Sequence, residues 1–184
     1  TLVIMKTRSE LGKYLFNKGY KVGAEIGVFK GAFARQLCKA GLTVYAIDPW
    51  IGYVGAGRTE QVQEKQDINY EIAQHTLQHY DCILVRKTSM DALADFKDDS
   101  LDFVYIDGDH RFPFIAEDIY YWYKKIRKGG VISGHDYFNT DPGANNVLCQ
   151  AGSIVDAFVR AFGIDNLTIF GEDDPTPSWM IVKQ

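Results

Sequence analysis

The chain has 184 residues, 46% of them hydrophobic, which suits one compact domain spanning residues 1–184 and argues against a second. A formal charge of -4 and a pI of about 5.5 speak against broad capture of nucleic acid, which needs a clustered basic face, and favour a small-molecule substrate. No apolar run approaches the ~20 residues that cross a bilayer, and Thr1-Leu2-Val3-Ile4 is too short for a secretory core, so a soluble protein without a membrane partner is expected.

Ser9 reads as the cap of a lead-in helix within residues 1–20, with Leu11, Tyr14 and Leu15 at helical spacing and Gly19 ending it. Val22 to Val28 follow as a strand, Gly31 opens a turn, and Phe33, Leu37 and Cys38 mark the apolar face of a helix. Leu42 to Asp48 form a second buried strand. A polar helix from about Thr59 to His79 carries Ile68, Ile72 and Leu77, and Cys82 to Val85 make a third strand before a short helix from Met90 to Phe96. Leu101 to Asp107 are continuously apolar enough for a central strand covered on both faces. Ile115, Ile119, Trp122 and Ile126 then give an amphipathic helix closed by Lys128-Gly129-Gly130. Val131 to Asp136 are the next strand, a polar loop covers Asn139 to Asn146, and Ile154, Val155, Phe158, Val159 and Phe162 share one side of a helix. Leu167 to Phe170 and Trp179 to Val182 flank a turn at Asp173 to Pro177, a hairpin pattern.

This alternation predicts an α/β fold: a doubly wound, mostly parallel sheet of seven strands ending in an antiparallel hairpin. Cys38, Cys82 and Cys149, odd in number and set in apolar stretches, read as reduced core thiols of a cytoplasmic protein. The chain opens on Thr1 rather than Met, which leaves room for an N-terminal extension.

Ligands of such sheets sit beyond the carboxyl ends of the strands, where strand order reverses. Gly27, Asp48, Asp107 and Asp136 each end a strand there. The turn Glu25-x-Gly27, followed by Gly31, brings backbone close to a ligand but departs from the dinucleotide fingerprint G-x-G-x-x-G; alone it is equally a tight turn without a ligand. Asp48, some twenty residues on, is placed to accept ribose hydroxyls, with a turn role before Pro49 as the alternative. Asp107-Gly108-Asp109-His110 faces His135-Asp136 from the neighbouring strand. Together these groups suit either a divalent ion or a general base for a substrate hydroxyl. Asp109 as a helix cap and His135 as a core histidine are the plainer readings.

The segment Tyr105-Ile106-Asp107-Gly108-Asp109-His110, through Asp118, Trp122 and Gly129-Gly130 to Gly134-His135-Asp136-Tyr137, carries a resemblance. With Ala24-Glu25-Ile26-Gly27-Val28 and Ala46-Ile47-Asp48-Pro49-Trp50, it resembles the class I S-adenosylmethionine-dependent methyltransferases found beside bacterial natural-product and cell-surface sugar genes. More distantly it is similar to catechol and macrocin O-methyltransferases. The resemblance implies that Glu25, Gly27, Val28 and Phe29 line the methionine end of the cofactor, with Asp107 beside it, that Asp48 grips its ribose, and that Ser89 and Met90 flank adenine. It further implies a magnesium ion on Asp107 and Asp136. His110 stands where the catechol enzymes have a lysine base, Tyr137 where they have an asparagine, and His135-Asp136 where the macrocin type has paired acids. The expected reaction is methylation of a hydroxyl on a sugar or natural product. His110, Asp107 and His135 form the expected catalytic set, with Asp107 and Asp136 orienting His110 directly or through magnesium.

Trp50, Tyr53, Phe112, Phe114, Tyr137 and Phe138 are expected to wall an acceptor pocket or to pack in the core, and Gly52 to Gly57 to act as a lid or a plain connector. Such exposed aromatics also suit a homo-oligomer that shares pocket walls. Two rival readings remain open: a nicotinamide-dependent oxidoreductase, for which Tyr120 and Lys124 have the spacing of a catalytic dyad, and a non-catalytic nucleotide-binding module. Arg8, Lys13, Lys18 and Lys21 read as a solvated helix face rather than an RNA contact, and Lys124, Lys125, Arg127 and Lys128 as complements of a helix carboxyl end.

Overall fold

The computed structural model describes residues 5–53, 62–140 and 148–184. The opening residues 1–4, most of the expected lid (Val54 to Gly57), the expected helix start at Thr59 and most of the Asn139 to Asn146 loop lie outside the described residues.

A short 3-10 turn, Arg8–Glu10, leads into α1 (Leu11–Asn17). Its cap is Thr7 rather than Ser9, because the Glu10 carboxylate reaches back to accept from the Thr7 and Lys6 amides at 3.2 and 2.6 Å. Next come β1 (Val22–Ile26), α2 (Ala32–Lys39), β2 (Thr43–Ile47), α3 (Gln63–Leu77), β3 (Cys82–Val85) and α4 (Ser89–Ala92). β4 (Leu101–Ile106), α5 (Phe114–Lys125), β5 (Ile126–Gly134), α6 (Ala151–Phe162), β6 (Thr168–Phe170) and β7 (Ser178–Val182) complete the order.

The seven strands form one sheet in the order β3-β2-β1-β4-β5-β7-β6. β1 to β5 run parallel, and β7 lies antiparallel to both β5 and β6. The doubly wound sheet and terminal hairpin are as expected, and strand order reverses between β1 and β4. Alternation along β4 sorts the core: Phe103 and Tyr105 pack with Leu11, Leu37 and Leu77 on one face, Val104 and Ile106 with Ile115, Trp122 and Val155 on the other. Side chains so buried contribute roughly 1.5–3 kcal/mol each, which explains why β4 carries no polar residue beyond Asp102. Cys38 and Cys149 are buried free thiols and Cys82 is a half-buried one. No helix among the described residues is long and apolar enough to cross a membrane.

Three expectations are corrected. In α3 the buried positions are Asn69, Ala73 and Leu77, whereas Ile68 and Ile72 face solvent. The helix holding Trp122 ends at Lys125 and passes straight into β5, so Ile126 and Lys128-Gly129-Gly130 are strand rather than helix end. A Cβ on Gly130 would lie 2.5 Å from the Asp102 carbonyl oxygen, so the glycine serves close strand pairing, beside the register shift between Leu101 and Phe103. Asp109 does not cap α5, whose cap position is Pro113; its carboxylate instead holds the Arg111 guanidinium at 2.7 Å.

Candidate active site

At the reversal point the turn after β1 presses against the turn after β4. Gly27 has φ +87°, and a Cβ there would sit 2.3 Å from the Asp107 carbonyl oxygen, so only glycine fits. Asp48, just beyond β2, shapes the same turn. Its Oδ2 accepts from the Val28 and Phe29 amides at 2.9 and 3.0 Å, and its Oδ1 from the Trp50 amide at 2.8 Å. Phe29, Trp50 and Asp136 all have positive φ, and each of these strained residues follows a strand at this edge of the sheet. Trp50 is fully buried, its indole donating to the Phe29 carbonyl at 2.8 Å, so it braces the turn from below and walls no acceptor pocket.

A cleft of about 350 Å³ opens beside these turns. Gly27, Asp48, Ser89, Met90, Gly108 and Asp118 line it, with Phe114 at its wall. The structure therefore brings Gly27, Asp48, Ser89 and Met90 together. Val28 and Phe29 stand on the turn that Asp48 holds, and Phe29 is exposed. Glu25 is 1% exposed behind that turn, its Oε2 without a hydrogen-bond partner. Burial, then the nearby charge of Asp107, raises its pKa well above the usual carboxylate range.

Asp118 received no role from sequence reasoning, yet it belongs to the cleft. The indole of Trp122 donates to the Ser89 hydroxyl at 2.7 Å, and that hydroxyl donates to Asp118. Burial pushes Asp118 up to about 7, although the Ser89 hydrogen bond works against the rise.

Beyond Gly108 lies the second group of titratable side chains. His110 is half-buried, with Nδ1 3.6 Å from Asp136 Oδ2 and Nε2 3.9 Å from Asp107 Oδ1. That Nε2 has no hydrogen-bond partner. Burial lowers the His110 pKa despite Asp107 and Asp136, which pull the other way. His135 behaves oppositely: burial disfavours its charge, but hydrogen bonds to Asp107 and Asp136 outweigh burial and raise it to about 9. Its Nδ1 lies 3.1 Å from Asp136 Oδ1, and its Nε2 3.1 Å from the Thr176 hydroxyl, which donates to Asp136 at 2.6 Å. Burial opposes the Asp136 charge as well, yet His135 and Thr176 hold that carboxyl down at about 2. His135 is thus a charged tether and His110 a neutral imidazole. Ligand atoms of Asp107, His110 and Asp136 lie within 4.8 Å of one another, the one such group among the described residues.

Arg8 was expected on a solvated helix face and is instead part of this cluster. Its Nη1 donates to Asp107 Oδ2 at 3.1 Å. No local sequence signal marks it, because the contact spans 99 positions. Tyr120 and Lys124, the spacing match to an oxidoreductase dyad, are exposed on the outer face of α5, where the ammonium lies 4.2 Å from the tyrosine ring; neither lines the cleft.

An uncharacterized protein of Sinorhizobium fredii is 27% identical over 119 residues, 63% of this chain and 12% of that protein. An uncharacterized protein of Acanthamoeba polyphaga mimivirus is 28% identical over 128 residues, 66% of this chain and 54% of that protein. The chain thus spans about an eighth and about half of these curated relatives. Among solved structures, an O-methyltransferase from Bacillus cereus in complex with SAH superposes with TM-score 0.68 at 15% identity, over 99% of this chain and 83% of the other. The O-methyltransferase TomG from Streptomyces achromogenes, involved in tomaymycin synthesis and solved with SAM, gives 0.64 at 17% identity over 96% and 80%. These likenesses show a shared Rossmann-like fold. The model of the family described as Methyltransferase domain matches residues 24–137, from the buried stretch of β1 through the cleft to Tyr137, and the chain belongs to that family.

Proposed function

We propose that the chain transfers a methyl group from S-adenosylmethionine to a hydroxyl of a small molecule, a sugar or natural product. The observation that carries this reading is the continuity of the cleft with the histidine–aspartate cluster through Gly108 and Asp109. In this arrangement Ser89, Met90 and Asp118 would hold the adenine, Asp48 the ribose, and the turn at Gly27 the methionine end of the cofactor. Both Asp48 oxygens accept backbone bonds, but a carboxylate has about four acceptor sites, so a ribose hydroxyl can still be received.

The reaction is an in-line displacement. When bound, S-adenosylmethionine would supply an electrophilic methyl group on a sulfonium, and displacement by the acceptor oxygen would return the carbon–sulfur electron pair to a neutral thioether. Most of the acceleration then comes from holding donor and acceptor at near-attack distance. The remaining task is removal of one proton. His110 suits it, being neutral, with an unpartnered Nε2 and acids within 4 Å to stabilise the imidazolium that forms. His135, already charged, holds Asp136 in place rather than acting as base.

Titration calorimetry with S-adenosylmethionine and with NAD tests the cofactor, and S-adenosylhomocysteine release over a panel of hydroxyl acceptors tests the reaction. Binding of the sulfonium nucleoside without NAD binding is expected. Tighter binding of NAD sinks the proposal in favour of the oxidoreductase, and cofactor binding without turnover on any acceptor leaves a nucleotide-binding module.

A further inference from the structure

Magnesium takes hard oxygen ligands at about 2.0–2.1 Å in near-octahedral geometry and holds on to several waters. The acids after β4 and β5 do not offer such a set. Asp107 Oδ2 is taken by the Arg8 guanidinium at 3.1 Å, and Asp107 Oδ1 faces His135 and His110 at 3.6 and 3.9 Å. Asp136 Oδ1 accepts from Thr176 at 2.6 Å and faces His135 at 3.1 Å, which leaves Asp136 Oδ2 opposite an imidazole. An ion entering here meets a cation already in contact with its first ligand.

Arg8 is held in place from several sides. Its backbone amide donates to Asp174 Oδ2 at 2.6 Å, and the flanking Met5 and Lys6 carbonyls accept from Gly171 and Asp173, both at 3.0 Å. Its guanidinium stacks 5.3 Å above the Phe33 ring. The segment Met5–Arg8 is thereby tied to the turn between β6 and β7, and the charge is delivered to a fixed point.

We infer that Arg8 takes the place of a divalent ion in this chain: it neutralises Asp107 from within, so that the cluster at the mouth of the sheet does not recruit metal. Arg8 is a positioning residue, acting on the acceptor through Asp107. The inference rests on the proposed methyl-transfer reading only for that role. Its test reads ion binding alone, so either can fail without the other.

The experiment is titration of the EDTA-stripped protein with Mn²⁺ at neutral pH, free ion being followed by electron paramagnetic resonance. Wild type is expected to leave Mn²⁺ free into the millimolar range. Arg8→Gln, which frees Asp107 Oδ2 and leaves His135 as the one cation facing the two acids, is expected to take up one ion per chain at least about tenfold more tightly, and Arg8→Gln/Asp136→Asn to lose it again. Asp174→Ala, which releases the Arg8 backbone and leaves the acids intact, should fall between wild type and Arg8→Gln, and it serves where Arg8→Gln does not fold. Uptake of one equivalent by wild type with the variant's affinity overturns the inference, as does absence of uptake by every variant.

Discussion

Gly27 leaves no space for even a methyl group, since its Cβ would collide with the Asp107 backbone at a left-handed φ. Gly27→Ala is expected to destabilise the fold by at least about 1–3 kcal/mol and to abolish cofactor binding, which urea denaturation and calorimetry would show. His110 has a different signature. His110→Ala should lower kcat by roughly 10²–10⁴-fold and leave cofactor affinity unchanged. Because its pKa is lowered, the base stays neutral as pH falls past the ordinary histidine value of 6.5, so the acid limb of kcat should lie below that pH. Asp118 makes a claim about stability. Its folded pKa of about 7 exceeds the unfolded value of 3.8, so the folded state holds the proton more tightly and loses relative stability as pH rises between the two. Above pH 7 the cost is constant, on the order of a few kcal/mol. Asp118→Asn should therefore be more stable than wild type at pH 8 and lose that advantage near pH 4; a pH-independent difference in urea midpoint would refute this. Glu117 and Asp109 add to the same rise. Strand-end position and residue type were enough to bring Gly27, Asp48, Asp107, His110 and Asp136 to the mouth of the sheet, where the structure has them. Arg8 and the buried chain from Trp122 to Asp118 were not legible, because contacts across 99 and 29 positions leave no spacing to read.

Elements were legible wherever periodicity and burial coincide. β4 and α5 announce themselves because each has a face that must be covered. α3 misled because its isoleucines are exposed while Asn69 is buried, donating to Gln66 at 3.1 Å, a satisfaction that hydropathy does not register. At the junction of α5 with β5, Ile126 is buried whether helix or strand continues, and a glycine pair resembles a helix end as much as a strand irregularity. What fixes the strand is Asp102. Its carboxylate accepts from the Lys21 and Val22 amides at 2.7 and 3.0 Å and from Arg127 at 2.6 Å, fastening the starts of β1 and β5 to β4 between them. Asp102→Ala is expected to cost about 2–3 kcal/mol by leaving these donors without partners, measurable as a lower urea midpoint with the sheet retained.

For the molecule as a whole, the sheet supplies a rigid edge, and the cluster on it is completed by pieces from far along the chain: Arg8 before β1, Thr176 after β6. Asp174→Ala should raise amide exchange at Arg8 and at Asp173, whose amide bonds the Lys6 carbonyl, while β1 and β4 stay protected. Equal exchange in variant and wild type would show that the Met5–Arg8 segment is held by its other bonds. Because Asp136 depends on the Thr176 hydroxyl, the cluster is complete only once the turn between β6 and β7 is in place, and that turn is synthesised after β1 to β5. Nucleotide capture and chemical competence would then be acquired at different moments of translation, the second only when the closing hairpin folds back.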